Sequence, residues 1–148
     1  MFPKVSVAIY LDWQNVRLNQ NQANKLFNLA SREGILGIKK AYAYWRKEDL
    51  SRQGCLYKNG FDCLDIPLLE KNSADHKLMA DIRWQIVNDP SLKTVILVSG
   101  DGDFVQLVSE MKLRGIKVIV VAQSNVSQKL RKLADEFYPV HDLCKQVT

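Results

Sequence analysis

Residues 97–108 read LVSGDGDFVQLV: an apolar run, a sharp turn carrying two carboxylates one glycine apart, and a second apolar run with helical spacing. The pattern is that of a buried strand feeding a helix through a tight loop. Asp103 can act as the helix N-cap, with Gln106 completing a capping box. That role leaves Asp101 unexplained. In the other reading the two acids hold a metal ion, which requires further acids from elsewhere in the chain.

Outward from this stretch, short apolar runs alternate with amphipathic ones. VSVAIYL, 5–11, reads as a buried strand, and Ala23, Leu26, Phe27 and Ala30 share one face of a helix that stops at Gly34. A second strand lies within 35–45. A helix over 48–58 ends at Asn59-Gly60, and FDCLDI, 61–66, forms a third strand closed by Pro67. Ser73 is a candidate N-cap for a helix over 74–88, whose stripe is Leu78, Met79, Ile82, Ile86 and Val87. Then come a strand at 94–99, a helix at 104–114, a strand at 117–122 and a last helix at 126–136. Five strands separated by helices, apolar throughout rather than alternating, predict a parallel sheet covered on both faces. In such sheets ligands bind outside the carboxyl ends of the strands.

Composition sets the class. At 148 residues the chain predicts one domain, 1–148, and 47% hydrophobic with 25% charged residues lies in the ordinary globular range. Runs such as VIVVA, 118–122, are too short to span a bilayer, and MFPKVSVAIYL lacks a cleavable signal pattern. Cys55, Cys63 and Cys144 show no CxxC spacing, and with only two histidines neither a disulfide framework nor a zinc site is indicated. A soluble, cytoplasmic protein without a membrane partner is expected. The net charge is +5 despite 16 acids, so a clustering of several acids would leave the remaining surface strongly basic and suited to a polyanion.

The acids do fall where such a cluster would form. Asp12 ends the first strand, Asp101 ends the fourth, Asp103 follows it, and Asp75 opens the helix leaving the third. Parallel strands put all four on one edge of the sheet. Carboxylates this close repel unless something positive lies among them, and an all-oxygen donor set suits Mg²⁺ or Mn²⁺. Taken singly, Asp12 can be a turn acid, Asp75 a helix N-terminal charge, Asn15 an Asx turn and Ser99 a polar strand end. Asp81 lies six residues beyond Asp75, about 9 Å along the helix and about 120° round it. It is therefore read as a supporting or a surface group.

Three segments, YLDWQNV (10–16), KNSADHKLMADI (71–82) and VSGDGDF (98–104), together resemble the NYN domain family, also called LabA-like, within the PIN-like nuclease group. The resemblance runs along nearly the whole chain. It implies an α/β three-layer sandwich, PIN-like and Rossmann-like, with a central, mainly parallel five-stranded sheet and a metal-dependent ribonuclease centre. Carried over by position, Asp12, Asp75, Asp101 and Asp103 form the acidic catalytic and metal-binding set, with Asn15 and Ser99 in support. Trp13-Gln14 is a departure, since many members have a glycine with a small or polar neighbour there.

The resulting expectation is an endoribonuclease acting on single-stranded or structured RNA through Mg²⁺ or Mn²⁺. Trp13 is a candidate base-stacking ring, and Lys39, Lys40, Arg46, Lys71 and Lys77 are candidate phosphate contacts. Tyr42 and Tyr44 read better as sheet core. The alternative is a catalytically weak or inactive module that binds RNA or a protein; a homo-oligomer stays open. A haloacid dehalogenase-type phosphatase needs D-x-D at the first strand, where Trp13 and Gln14 follow Asp12. A response-regulator receiver needs a lysine ending its fifth strand, which here ends VVAQS.

Overall fold

The computed structural model describes residues 5–67 and 73–143. The chain runs β1 (Val7–Asp12), α1 (Gln20–Glu33), β2 (Leu36–Ala43), α2 (Leu50–Lys58), β3 (Asp62–Asp65), α3 (Ser73–Asn88), β4 (Thr94–Val98), α4 (Val105–Leu113), β5 (Lys117–Ala122), α5 (Gln128–Leu133) and β6 (Glu136–Pro139). Every strand pair is parallel, in the order β3-β2-β1-β4-β5-β6.

The sheet has six strands where the sequence reading expects five. The sixth lies where that reading has the end of the last helix. Leu133 ends α5, and Ala134 turns extended. Asp135 then brackets the start of β5: its backbone N–H donates to the Val118 carbonyl, and its carboxylate accepts from the Val118 N–H at 2.8 Å. Phe137 and Tyr138 are buried beside β5, and Pro139, which has no N–H to donate, closes the strand at the sheet edge.

Alternation along β1 divides the core. Val7, Ile9 and Leu11 face α1 and α2, while Ala8 and Tyr10 face α3, α4 and α5. All six residues of β1 and all five of β4 are buried, as expected for central strands covered on both faces. The strand order reverses between β1 and β4. Chain growth moves outward one way through β2 and β3 and the other way through β5 and β6. The loops leaving β1 and β4 therefore diverge, opening a crevice at their carboxyl ends. Among the described residues no helix is long and apolar enough to cross a membrane.

Candidate active site

Both loops at this crevice are acidic, and they are fastened to each other. Asp12, the last residue of β1, is 5% exposed and accepts from the Ser99 hydroxyl at 3.0 Å. The same hydroxyl accepts from the Asp101 N–H at 3.2 Å. Asn15, held by its N–H to the Asp12 carbonyl, accepts from the Gly100 N–H at 2.8 Å through its side chain. The D-x-x-N stretch after β1 thus reads as a clamp on the S-G-D loop after β4.

The glycines of that loop fit a close approach on its other side. A Cβ on Gly100 would lie 3.1 Å from the Val126 Cα, and one on Gly102 would lie 3.0 Å from the Ser127 Oγ. The Ser127 N–H donates to the Gly100 carbonyl at 2.9 Å. Ser127 escaped the sequence reading because its contact is to backbone 27 positions earlier; the two glycines in a row of five small or acidic residues were its only trace.

Asp101 uses its carboxylate to accept from the Asp103 N–H at 2.9 Å, capping the short 3₁₀ turn Gly102–Phe104. This corrects the capping-box reading. The helix proper starts at Val105 with no side-chain cap from its preceding residue, and the Asp103 carboxylate, which is exposed, has no capping duty. Asp75 enters from the first turn of α3 and is buried. Carboxylate oxygens of Asp75, Asp101 and Asp103 lie within 4.8 Å of one another. Asp12 stands behind them, close enough to act electrostatically on Asp75.

The electrostatics are those of a crowded acidic site. Burial pushes the Asp12 carboxyl from 3.8 up to about 6; the Ser99 hydrogen bond opposes this and the charge of Asp101 adds to it. Asp75 is raised further, by burial first, then by the charge of Asp12, by a hydrogen bond with Asp101, and by the charges of Asp101 and Asp103. Burial and the neighbouring charges thus favour the protonated form of the Asp75 carboxyl when no cation is present. Among the described residues none of the four has an ion-pair partner. The donor set is entirely oxygen and partly buried, which fits a hard divalent cation.

Other expected residues are placed differently. Trp13 is 1% exposed and packs on Trp45 with ring centroids 5.8 Å apart, so it is a core residue and cannot stack on a base. Asp81 is not part of the cluster: it accepts from the Tyr42 hydroxyl at 2.6 Å and from Lys77 at 2.9 Å. Tyr42 is core, as expected. Lys39 and Lys40, adjacent on β2, point to opposite faces of the sheet and cannot follow one backbone. Lys39 reaches the Asn59 carbonyl and lies over the Phe27 ring, whereas Lys40 acts on Asp81. Lys77 is engaged by Asp81. Arg46 is exposed in the turn that leaves the carboxyl end of β2, on the edge that carries the acids. Lys71 lies outside the described residues.

The NYN domain family model matches residues 6–142. No curated protein matches the sequence. Among solved structures, the chain is similar to a protein of unknown function from Vibrio parahaemolyticus RIMD 2210633, with 29% identity, a TM-score of 0.77 and coverage of 97% of each chain. The family match spans both loops of the crevice, the first turn of α3 and all six strands: the chain belongs to the NYN domain family.

Proposed function

We propose that the protein is a metal-dependent endoribonuclease that hydrolyses RNA phosphodiester bonds at the carboxyl edge of the sheet. One observation carries this reading: at the β1/β4 crevice, Asp75, Asp101 and Asp103 bring carboxylate oxygens within 4.8 Å of one another with no basic partner among the described residues. Membership of the NYN family supports the assignment to nuclease chemistry and to RNA.

Asp12, Asp75, Asp101 and Asp103 would hold Mg²⁺ or Mn²⁺, with Asn15 and Ser99 in support. The ion supplies Lewis acidity, lowering the pKa of a coordinated water and offsetting charge on the phosphate. The remaining work belongs to the chain. Ser99 donates to one oxygen of Asp12 and so fixes the rotation of that carboxylate. Asp101 is held by its own cap to the next turn. Asp103, exposed and free of capping, is placed to orient a water or accept its proton. Arg46 on the same edge is a phosphate contact that positions the backbone.

The test is cleavage of a labelled single-stranded RNA by the purified protein with Mn²⁺, with EDTA, and after Asp101→Asn. The expected result is metal-dependent cleavage that both EDTA and the substitution abolish. Cleavage at equal rates in all three samples would overturn the reading. RNA bound but left intact with every divalent ion would replace it with the inactive binding module.

A further inference from the structure

We propose that the groove between α4 and α5 is the track along which the RNA strand leaves the acidic cluster, its phosphates held by Lys129 and Lys132. The proposal rests on the nuclease reading above, since it starts the strand at those acids.

In SQKLRKL, 127–133, Ser127 caps α5 and Leu130 turns into the core, which leaves Lys129 and Lys132, three apart, as neighbours on the exposed surface. Arg131, between them in sequence, is turned away and stacks on Phe137 at 4.8 Å. The two lysines line a shallow groove of about 430 Å³ with Val105, Ser109 and Leu133. Both walls of the groove lead back along the chain to the loop that carries Asp101 and Asp103. On α4, Val105 follows Asp103 by two residues, and Ser109 lies about 6 Å further along the helix axis. On α5, Lys129 follows Ser127 by two residues, and Ser127 is bonded to the Gly100 carbonyl.

The charge of this groove suits a polyanion. Among the described residues Lys129 and Lys132 have no acidic partner. Several other cations are engaged by acids: Arg17 by Glu48, Lys77 by Asp81, Arg83 by Glu110, and Lys117 by Glu33 and Glu136. A second groove, of about 370 Å³, contains Arg17 and Arg52 but lies between α1 and α2. That is the opposite face of the sheet from α3, which carries Asp75. In the α4–α5 groove two cations frame the half-buried Val105 and Leu133, so charge and apolar surface alternate as phosphate and nucleoside do along a strand.

The experiment is fluorescence anisotropy of a labelled single-stranded oligouridine on Asp101→Asn protein across a salt series, beside RNA cleavage by the wild type. Lys129→Gln with Lys132→Gln should weaken binding and flatten the dependence of log Kd on log salt by about 1.4, from about 0.7 per phosphate contact of a single strand. Lys25→Gln with Lys58→Gln, on α1 and α2, should leave the slope unchanged. Both α5 lysines are exposed, and an unaltered melting temperature verifies that the double variant is folded. If the slope survives in that variant while the wild type cleaves RNA, the groove is overturned and the nuclease reading stands. If the wild type neither binds nor cleaves RNA at low salt, both fall. Equal affinity for poly-glutamate of matched charge would overturn RNA as the occupant in favour of an acidic polypeptide.

Discussion

Burial and crowding raise the carboxyls of Asp12 and Asp75 when no cation is present, and that makes their part of the stability of the metal-free protein run against the usual direction with pH. Asp12 is the clearest case. Its pKa rises from 3.8 to about 6 on folding, chiefly through burial, so between those values the folded state binds more protons than the unfolded chain. Its contribution is fully present below about pH 4 and is lost as pH rises through about 6. The full shift corresponds to about 3 kcal/mol. Asp12→Asn should therefore raise the stability of the EDTA-treated protein at pH 7 by up to about 3 kcal/mol, and have little effect near pH 4. Urea unfolding of both proteins at several pH values measures this; a variant less stable than wild type at pH 7 would show that Asp12 is structurally required. Single residues were unevenly legible. The four acids could be located from strand ends alone, because a parallel sheet brings its carboxyl ends together. Trp13 could not, because its burial depends on Trp45, which arrives from a different strand end.

Elements explain why acids on one helix have different tasks. Asp75 and Asp81 both belong to α3, but the turn of the helix sends Asp75 to the crevice and Asp81 to the Tyr42 hydroxyl beneath it. Burial raises the Asp81 carboxyl, yet the hydrogen bonds from Lys77 and Tyr42 outweigh it and hold the group below the ordinary carboxylate range. Tyr42 is fully buried, so this bond ties α3 to the carboxyl end of β2. Tyr42→Phe should cost about 1.5–3 kcal/mol, the range for a hydrogen bond to a charged group, and leave metal-dependent cleavage largely intact. Asp75→Asn should do the reverse, abolishing cleavage with metal-free stability unchanged or higher. Paired melting curves and cleavage rates separate the two; loss of cleavage in both variants would put Asp81 into the catalytic site. Among the elements, strands β1, β4 and β5 were legible because continuous apolar runs mark strands buried on both faces. The strand β6 was not: four residues directly after a helical repeat give too short a period to read, and its pairing is set by Asp135 bonding to β5. The opposite orientations of Lys39 and Lys40, by contrast, follow from strand alternation and were available in the sequence.

The molecule as a whole places its strain at one point. The order β3-β2-β1-β4-β5-β6 opens a crevice where β1 and β4 part, and four acids surround it. The order itself was beyond the sequence, because each parallel crossover is compatible with either side of the preceding strand; only the shared edge could be inferred. A cation that fills the crevice should relieve the repulsion and stabilise the entire fold, since it binds the folded chain and finds no preformed site in the unfolded one. At a Mn²⁺ concentration of about 100 Kd the gain is about 2.7 kcal/mol. At roughly 3 °C per kcal/mol for a chain of this size, the melting temperature should rise by about 8 °C. Binding also requires the raised carboxyls of Asp75 and Asp12 to be deprotonated, so the gain should be larger at pH 7.5 than at pH 5.5. Differential scanning fluorimetry with Mn²⁺ and with EDTA at both pH values measures it. Asp101→Asn should remove most of the Mn²⁺ gain at pH 7.5. A wild type that melts at one temperature with Mn²⁺ and with EDTA at pH 7.5 would show that the acids do not bind the ion, and the metal-dependent mechanism would fall with it.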